Sequence, residues 1–168
     1  MTLDRCGECA FVYDGAVLSQ LDALLTNVSE DFAALLDADG GQLRRRPNPD
    51  TWSALEYACH VRDVLLAQRE RLYLALVEDE PSFAPIYRDH RVVLARYNDH
   101  DPDDVTRELC IAAQLFAGAF TTLDASQRSR TCIYNYPEPT VRTVDWLALH
   151  TLHECRHHLT DARRSLRS

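Results

Sequence analysis

Four of the chain's seven histidines fall within Leu149 to Asp161, which reads Leu-His-Thr-Leu-His-Glu-Cys-Arg-His-His-Leu-Thr-Asp. On a helix, His150, His153, His157 and Asp161 stand at i, i+3, i+7 and i+11 and stack along one face. His153 and His157 are one turn apart, the spacing at which two imidazoles reach the same metal ion. Burying several imidazoles without partners is costly, so a row of them on a core-edge face points to a divalent cation.

His153-Glu154-Cys155-Arg156-His157 also matches the HExxH pattern of zinc peptidases. That reading needs a third ligand. One large class places a glutamate far downstream, and little chain follows His157. The extended class demands glycine and histidine where Thr160 and Arg163 stand. No segment reads as a convincing strand that would hold a peptide by edge pairing. The third ligand is therefore expected upstream, and His60 is the candidate.

Glu154, about 100° around the helix from His153, is the candidate catalytic base, with an outer-shell or surface role as the alternatives. Asp63, three residues after His60, and Asp161, four after His157, are placed to orient ligand histidines through their second nitrogens. His150 reads as cavity lining or an outer partner, and His158 as a solvent-side or packing residue.

These residues need helices, and the breakers supply the boundaries. Proline occurs at 47, 49, 81, 85, 102, 137 and 139, and every glycine except Gly118 lies before residue 16 or at Gly40-Gly41. The intervals left, roughly 16–39, 50–80, 103–136 and 140–168, predict four helices. The first carries Val17, Leu21, Leu24, Leu25, Val28, Phe32 and Leu35 at helical period, with Gly40-Gly41 as its stop. The second opens on a capping box, Ser53 and Glu56, flanked by a Trp52–Tyr57 staple, and places His60 about two turns in.

Asp101-Pro102-Asp103-Asp104 reads as a cap, a first-turn proline and two acids for the third helix. Thr143 with Asp145 can cap the fourth, whose apolar stripe is Leu149, Leu152, Cys155, Leu159, Ala162 and Leu166. Residues 81–100 read as a long crossover with a short helix near 90–97, which fits a bundle that is not simply up-and-down. Residues 125–142 read as an aromatic loop. The fold class expected is all-α, a four-helix bundle over residues 16–168, preceded by a segment, 1–15, that carries a Cys-x2-Cys pair.

A chain of 168 residues with 46% hydrophobic and 26% charged residues is long enough to bury one core. A net charge of -8 argues against a nucleic-acid binder, and Arg44-Arg45-Arg46 reads as a solvated loop. No apolar run approaches a membrane span, and the expected location is the cytoplasm. All eighteen basic residues are arginine, which excludes lysine nucleophile and Schiff-base chemistry. Cys6 and Cys9 are half of a structural zinc site, with partners to be found among scattered residues such as His90, His100 or Cys132; a reversible disulfide and free thiols are the alternatives. Cys59, Cys110 and Cys155 fall at helical positions that suit small buried residues.

Trp52-Ser53-Ala54-Leu55-Glu56-Tyr57-Ala58-Cys59-His60-Val61-Arg62-Asp63, followed some ninety residues later by His153-Glu154-Cys155-Arg156-His157-His158-Leu159, resembles the DinB/YfiT-like superfamily of small metal-binding four-helix proteins. The resemblance spans about residues 16 to 166. It implies His60, His153 and His157 as ligands of one divalent metal, zinc first and nickel or another as alternatives. It further implies a low-molecular-weight thiol, mycothiol-like, as co-reactant and a small electrophile as substrate of an S-transferase or isomerase. A homodimer is a separate expectation. A metal-dependent hydrolase and a metal-binding or stress-response module without turnover are the alternative functions.

Overall fold

The breaker-free intervals fold as four long helices. The computed structural model describes residues 4–37 and 39–167. A 3-10 turn, Gly15–Gln20, leads into α1, Leu21–Leu36; a short α2, Gly40–Arg44, precedes α3, Ala54–Val77. The crossover holds β1, Ser82–Phe83, then α4, Arg88–Leu94, and a 3-10 turn, Tyr97–Asp99. After it come α5, Pro102–Thr121, α6, Ala125–Arg128, β2, Thr131–Tyr134, β3, Thr140–Thr143, and α7, Val144–Arg167.

The predicted start signals are made. Ser53 Oγ accepts the Glu56 N–H at 3.2 Å, Glu56 Oε2 accepts the Ser53 N–H at 2.8 Å, and the Trp52 and Tyr57 rings lie 5.3 Å apart. Such a cap contributes about 1 kcal/mol, and here it fixes the register that sends His60 inward. Asp101 accepts from the Asp103 and Asp104 amides ahead of α5, and Thr143 Oγ1 accepts the Trp146 N–H at 3.1 Å ahead of α7.

In the bundle, α1 and α3 each pack against both α5 and α7. Helices α1 and α3 therefore stand diagonally, as do α5 and α7, which is the departure from up-and-down order that the long crossover implied. Leu21, Leu25 and Phe32 of α1 meet Leu55, Leu65 and Leu72 of α3, Leu109 and Phe116 of α5 and Leu152 of α7 in one core, and Phe11 from the N-terminal segment joins it.

Three local readings change. Residues 131–143 are not a plain loop: β2 and β3 pair antiparallel, with Thr131 opposite Thr143, and β1 adds in parallel to β2, with Ser82 opposite Ile133. The β-branched residues of Thr131-Cys132-Ile133-Tyr134 and Thr140-Val141-Arg142-Thr143 favour this, but each strand is only one side of a proline-rich turn and too short to show a period. Gly40-Gly41 begins α2, capped by Asp39, rather than ending α1. The arginine run is anchored at its two ends while Arg45 is exposed: Arg44 donates to the carbonyls of Asn98 and His100, both at 3.0 Å, and Arg46 donates twice to Glu56, at 2.8 and 2.6 Å.

Candidate metal centre

Helix α7 presents two rows of donor side chains, about 100° apart. One row is His150, Glu154 and His158; the other is His153 and His157. The stripe Leu149, Leu152, Cys155, Leu159 and Ala162 is buried as expected, and its packing sets the rotation of the helix and so the aim of each row.

The first row turns toward α3. One donor atom each from His60, Glu154 and His158 lies within 4.8 Å of the others. Trp52 stands edge-on to His60 at 5.1 Å, Tyr57 stacks on His158 at 5.7 Å, and the His60 and His158 rings meet at 4.8 Å. His158 Nδ1 lies 3.1 Å from Asp161 Oδ2, which directs Nε2 toward Glu154 Oε2 at 3.6 Å. A carboxylate behind one imidazole nitrogen fixes the tautomer and offers the other nitrogen as a donor.

The second row turns toward the N-terminal segment. Donor atoms of Cys6, Cys9, His153 and His157 lie within 4.8 Å of one another, with Cys6 Sγ 3.9 Å from His157 Nδ1. The Phe11 and Tyr13 rings cover His153 at 5.4 and 5.5 Å.

The expected trio His60, His153 and His157 lines one cavity, and the donor groups overlap, since His153 also gathers with His150 and Glu154, and His157 with His158 and Asp161. His153 and His157 stay together as neighbours, while His60 gathers with Glu154 and His158. His158, expected at a solvent-side or packing position, is 5% exposed and central. Glu154 sits among histidines rather than beside them, with Oε1 3.8 Å from His150 Nε2 and 3.4 Å from His153 Nδ1. Asp63 does not reach His60: it accepts from the Tyr97 hydroxyl at 2.6 Å and pairs with Arg62 at 2.9 Å and Arg91 at 3.3 Å. Asp161 serves both rows, as His157 Nε2 is 3.5 Å away. His150 packs on Trp146 at 4.6 Å and shares a hydrogen bond of 2.9 Å with the Tyr13 hydroxyl.

His100 and Cys132 lie apart from the cysteine pair. The first takes Arg62 and the Ala95 carbonyl, and the second, in β2, reaches the Arg142 carbonyl. Cys59 and Cys155 are buried, Cys110 only partly so.

Electrostatics separates the donors. Burial, and then the nearby His158, push His60 down to about 3, so it stands neutral with a lone pair to give. Burial opposes ionisation of Glu154, yet His153, His158 and His150 around it hold it well below the usual carboxylate range. Burial lowers His158, but Asp161 and Glu154 outweigh it and raise the imidazole. Burial raises the Cys6 thiol, while the backbone N–H groups of Cys9 and Glu8, and then His153, bring it down to about 6.

Both groups fit a cation by the same test. Among the described residues, the buried side-chain nitrogens and oxygens without a hydrogen-bond partner are His60 Nδ1, Arg69 Nε and both ring nitrogens of His153; Glu154 lies near His153 Nδ1 but makes no aligned hydrogen bond to it. Leaving one such atom dry costs about 1–3 kcal/mol, and three of the four fall on these two histidines. A neutral imidazole, a carboxylate and a second imidazole form a donor set that zinc and related cations take.

A cavity of about 820 Å³ is lined by His60, Glu154 and His158 of the first group and by Cys6, His153 and His157 of the second, with Arg71, Arg88, Tyr134, His90, Gly7 and Glu8 also on its walls. No helix among the described residues is long and apolar enough to cross a membrane.

A family model described as the DinB superfamily matches residues 20–162. The fold is similar to YfiT from Bacillus subtilis, described as a probable metal-dependent hydrolase with an unusual four-helix bundle topology: TM-score 0.79, 18% identity, 89% of this chain and 86% of that one. It is also similar to the mycothiol-dependent maleylpyruvate isomerase, with TM-score 0.68 and 14% identity over 86% of this chain and 60% of that one. At such identities the likeness is one of fold. No curated protein matches the sequence.

Proposed function

The chain belongs to the DinB superfamily, and from that premise we propose that it is a metal-dependent enzyme whose cation is held by His60, Glu154 and His158. The reading rests on one observation: a buried imidazole nitrogen on α3 without a partner, gathered with a carboxylate and an imidazole of α7 beneath the cavity. Three protein ligands leave room for a reactant, as in catalytic rather than structural zinc sites. A cation bound there would supply Lewis acidity and lower the pKa of a coordinated thiol or water.

The chain's own residues do the rest. Asp161 keeps the His158 proton on Nδ1, so that Nε2 remains a donor. Trp52 and Tyr57 fix the two imidazole planes by packing. Arg71, held by Gln68 at 3.1 Å and Tyr134 at 3.4 Å, and Arg88, beside Asp89 at 3.9 Å, put two guanidinium groups on the cavity wall. That favours a small electrophile bearing a carboxylate. The cavity suits a small molecule together with a thiol co-reactant, and we infer a low-molecular-weight thiol of the mycothiol kind, giving S-transfer or isomerisation.

The test is turnover of small carboxylated electrophiles by the metal-loaded protein, with mycothiol and without, beside His60→Ala. Thiol-dependent turnover lost in the variant supports the reading. Turnover without thiol makes it a hydrolase. Full turnover in His60→Ala sinks the assignment of the site.

A further inference from the structure

We propose that Cys6, Cys9, His153 and His157 form a second, structural zinc site that staples the N-terminal segment to α7 and so builds one edge of the cavity. None of the four is His60, Glu154 or His158, and although His153 Nδ1 neighbours Glu154 Oε1 at 3.4 Å, the two sites are read separately in the experiment below.

Several observations converge on it. The spacings are Cys-x2-Cys and His-x3-His, those of Cys2His2 zinc sites, though here separated by most of the chain. With Zn–S near 2.3 Å and Zn–N near 2.0–2.1 Å, the edges of a tetrahedron of donors are about 3.3–3.8 Å. The four donors already lie within 4.8 Å of one another, and Cys6 Sγ is 3.9 Å from His157 Nδ1. Only side-chain adjustment separates that arrangement from coordination.

The supporting contacts are also in place. The cysteines sit in a tight hairpin, where the Cys6 N–H donates to the Phe11 carbonyl at 2.9 Å and the Ala10 N–H to the Cys6 carbonyl at 3.0 Å. His157 Nε2 has Glu8 Oε2 at 3.3 Å and Asp161 Oδ2 at 3.5 Å, which leaves Nδ1 for a metal. His153 is 8% exposed, and neither of its nitrogens has a hydrogen-bond partner.

Four protein ligands close a zinc ion to substrate, so the site holds structure. What it holds is residues 4–14, of which Cys6, Gly7 and Glu8 border the cavity. Zinc binding would thus fix the rim through which a substrate of the first site passes.

The experiment loads the full chain with cobalt(II) and counts bound metal. We expect two equivalents and a thiolate-to-cobalt charge-transfer band in the near ultraviolet. The double variant Cys6→Ser, Cys9→Ser loses that band and one equivalent, while His60→Ala keeps the band and loses the other equivalent. A wild-type protein without the band, or a double variant that retains it, overturns the proposal. Far-ultraviolet circular dichroism checks that the variant is folded. Should it not fold, alkylation of the wild type mapped by peptide mass spectrometry replaces it: zinc protects Cys6 and Cys9 and a chelator exposes them, whereas equal labelling in both states overturns the site. Chelation should also speed tryptic cleavage after the exposed Arg5; unchanged cleavage overturns the stapling role.

Discussion

The two donor rows of α7 share one helix, one spacing and much of their chemistry, yet they face different surroundings. Glu154 and His158 look onto α3, where His60 completes a three-donor group beneath an open cavity. His153 and His157 look onto the N-terminal hairpin, where two cysteines complete a four-donor group. A step of one residue along a helix is a turn of about 100°, and here it separates donors that gather with His60 of α3 from donors that gather with Cys6 and Cys9 of the N-terminal hairpin. What a histidine pair at i, i+4 does is decided by what stands opposite, not by the pair.

The largest expected effect tests whether the rows are independent. His158→Ala should weaken the cation at the His60 group by more than the roughly 10–100-fold that loss of an outer partner costs, while His157→Ala leaves it bound; metal titration of both variants decides this. If His157→Ala releases that cation as well, the three-histidine arrangement of His60, His153 and His157 returns and the two rows collapse into one site. Next, Asp161→Asn removes the acceptor behind His158 Nδ1 and should weaken the same cation by roughly 10–100-fold, read by competition with a chelator. An unchanged affinity would assign Asp161 to the second row alone.

A third test uses pH on the metal-free protein. His150 is pushed by burial to about 4 and His60 to about 3, below the ~6.5 of an unfolded histidine. As pH falls through 6.5 the unfolded chain takes up protons that the fold refuses. Their stability contribution is therefore present above about pH 6.5 and lost as pH drops toward 4 and then 3. His158, raised, runs the other way: its contribution is present below about 6.5 and lost as pH rises through its folded value. Between pH 7 and 5, His150→Phe should lose about 2 kcal/mol less stability than the wild type, measured by urea midpoints; equal losses would show that His150 is not buried neutral in this row.

The smallest effect belongs to the rim. Glu8 is 77% exposed in its contact with His157, so Glu8→Gln should alter zinc affinity at the cysteine group by no more than about 1 kcal/mol. A much larger loss in a zinc competition assay would make Glu8 a ligand in place of one of the four.

Much of the fold is legible in the residues. Proline and glycine bound the helices, the Ser53–Glu56 box starts α3 within one residue of its observed place, and the Asp101-Pro102 pair starts α5. The small sheet is not legible, because two four-residue strands carry too few residues to show alternation, and β1 gains its meaning only from pairing with a strand some fifty positions later. In the site, His60 and the α7 histidines stand out by type and spacing. The HExxH pattern casts Glu154 as a base, and it does not show that Glu154 stands within donor distance of His60 and His158. His158 is hidden because His157 beside it satisfies the same spacing with His153.

The sequence by itself determined that α7 is a helix with donors at one-turn spacing, that His60 sits two turns into a capped helix, and that two cysteines separated by two residues precede the bundle. Periodicity specifies which residues share a face, since the rise and turn of the helix are local properties. The rotation of α7 about its axis is set by how Leu149, Leu152, Cys155 and Leu159 pack against the other helices, and the partner of each row by where the N-terminal hairpin lies. Those are long-range contacts, and only the tertiary structure decided them.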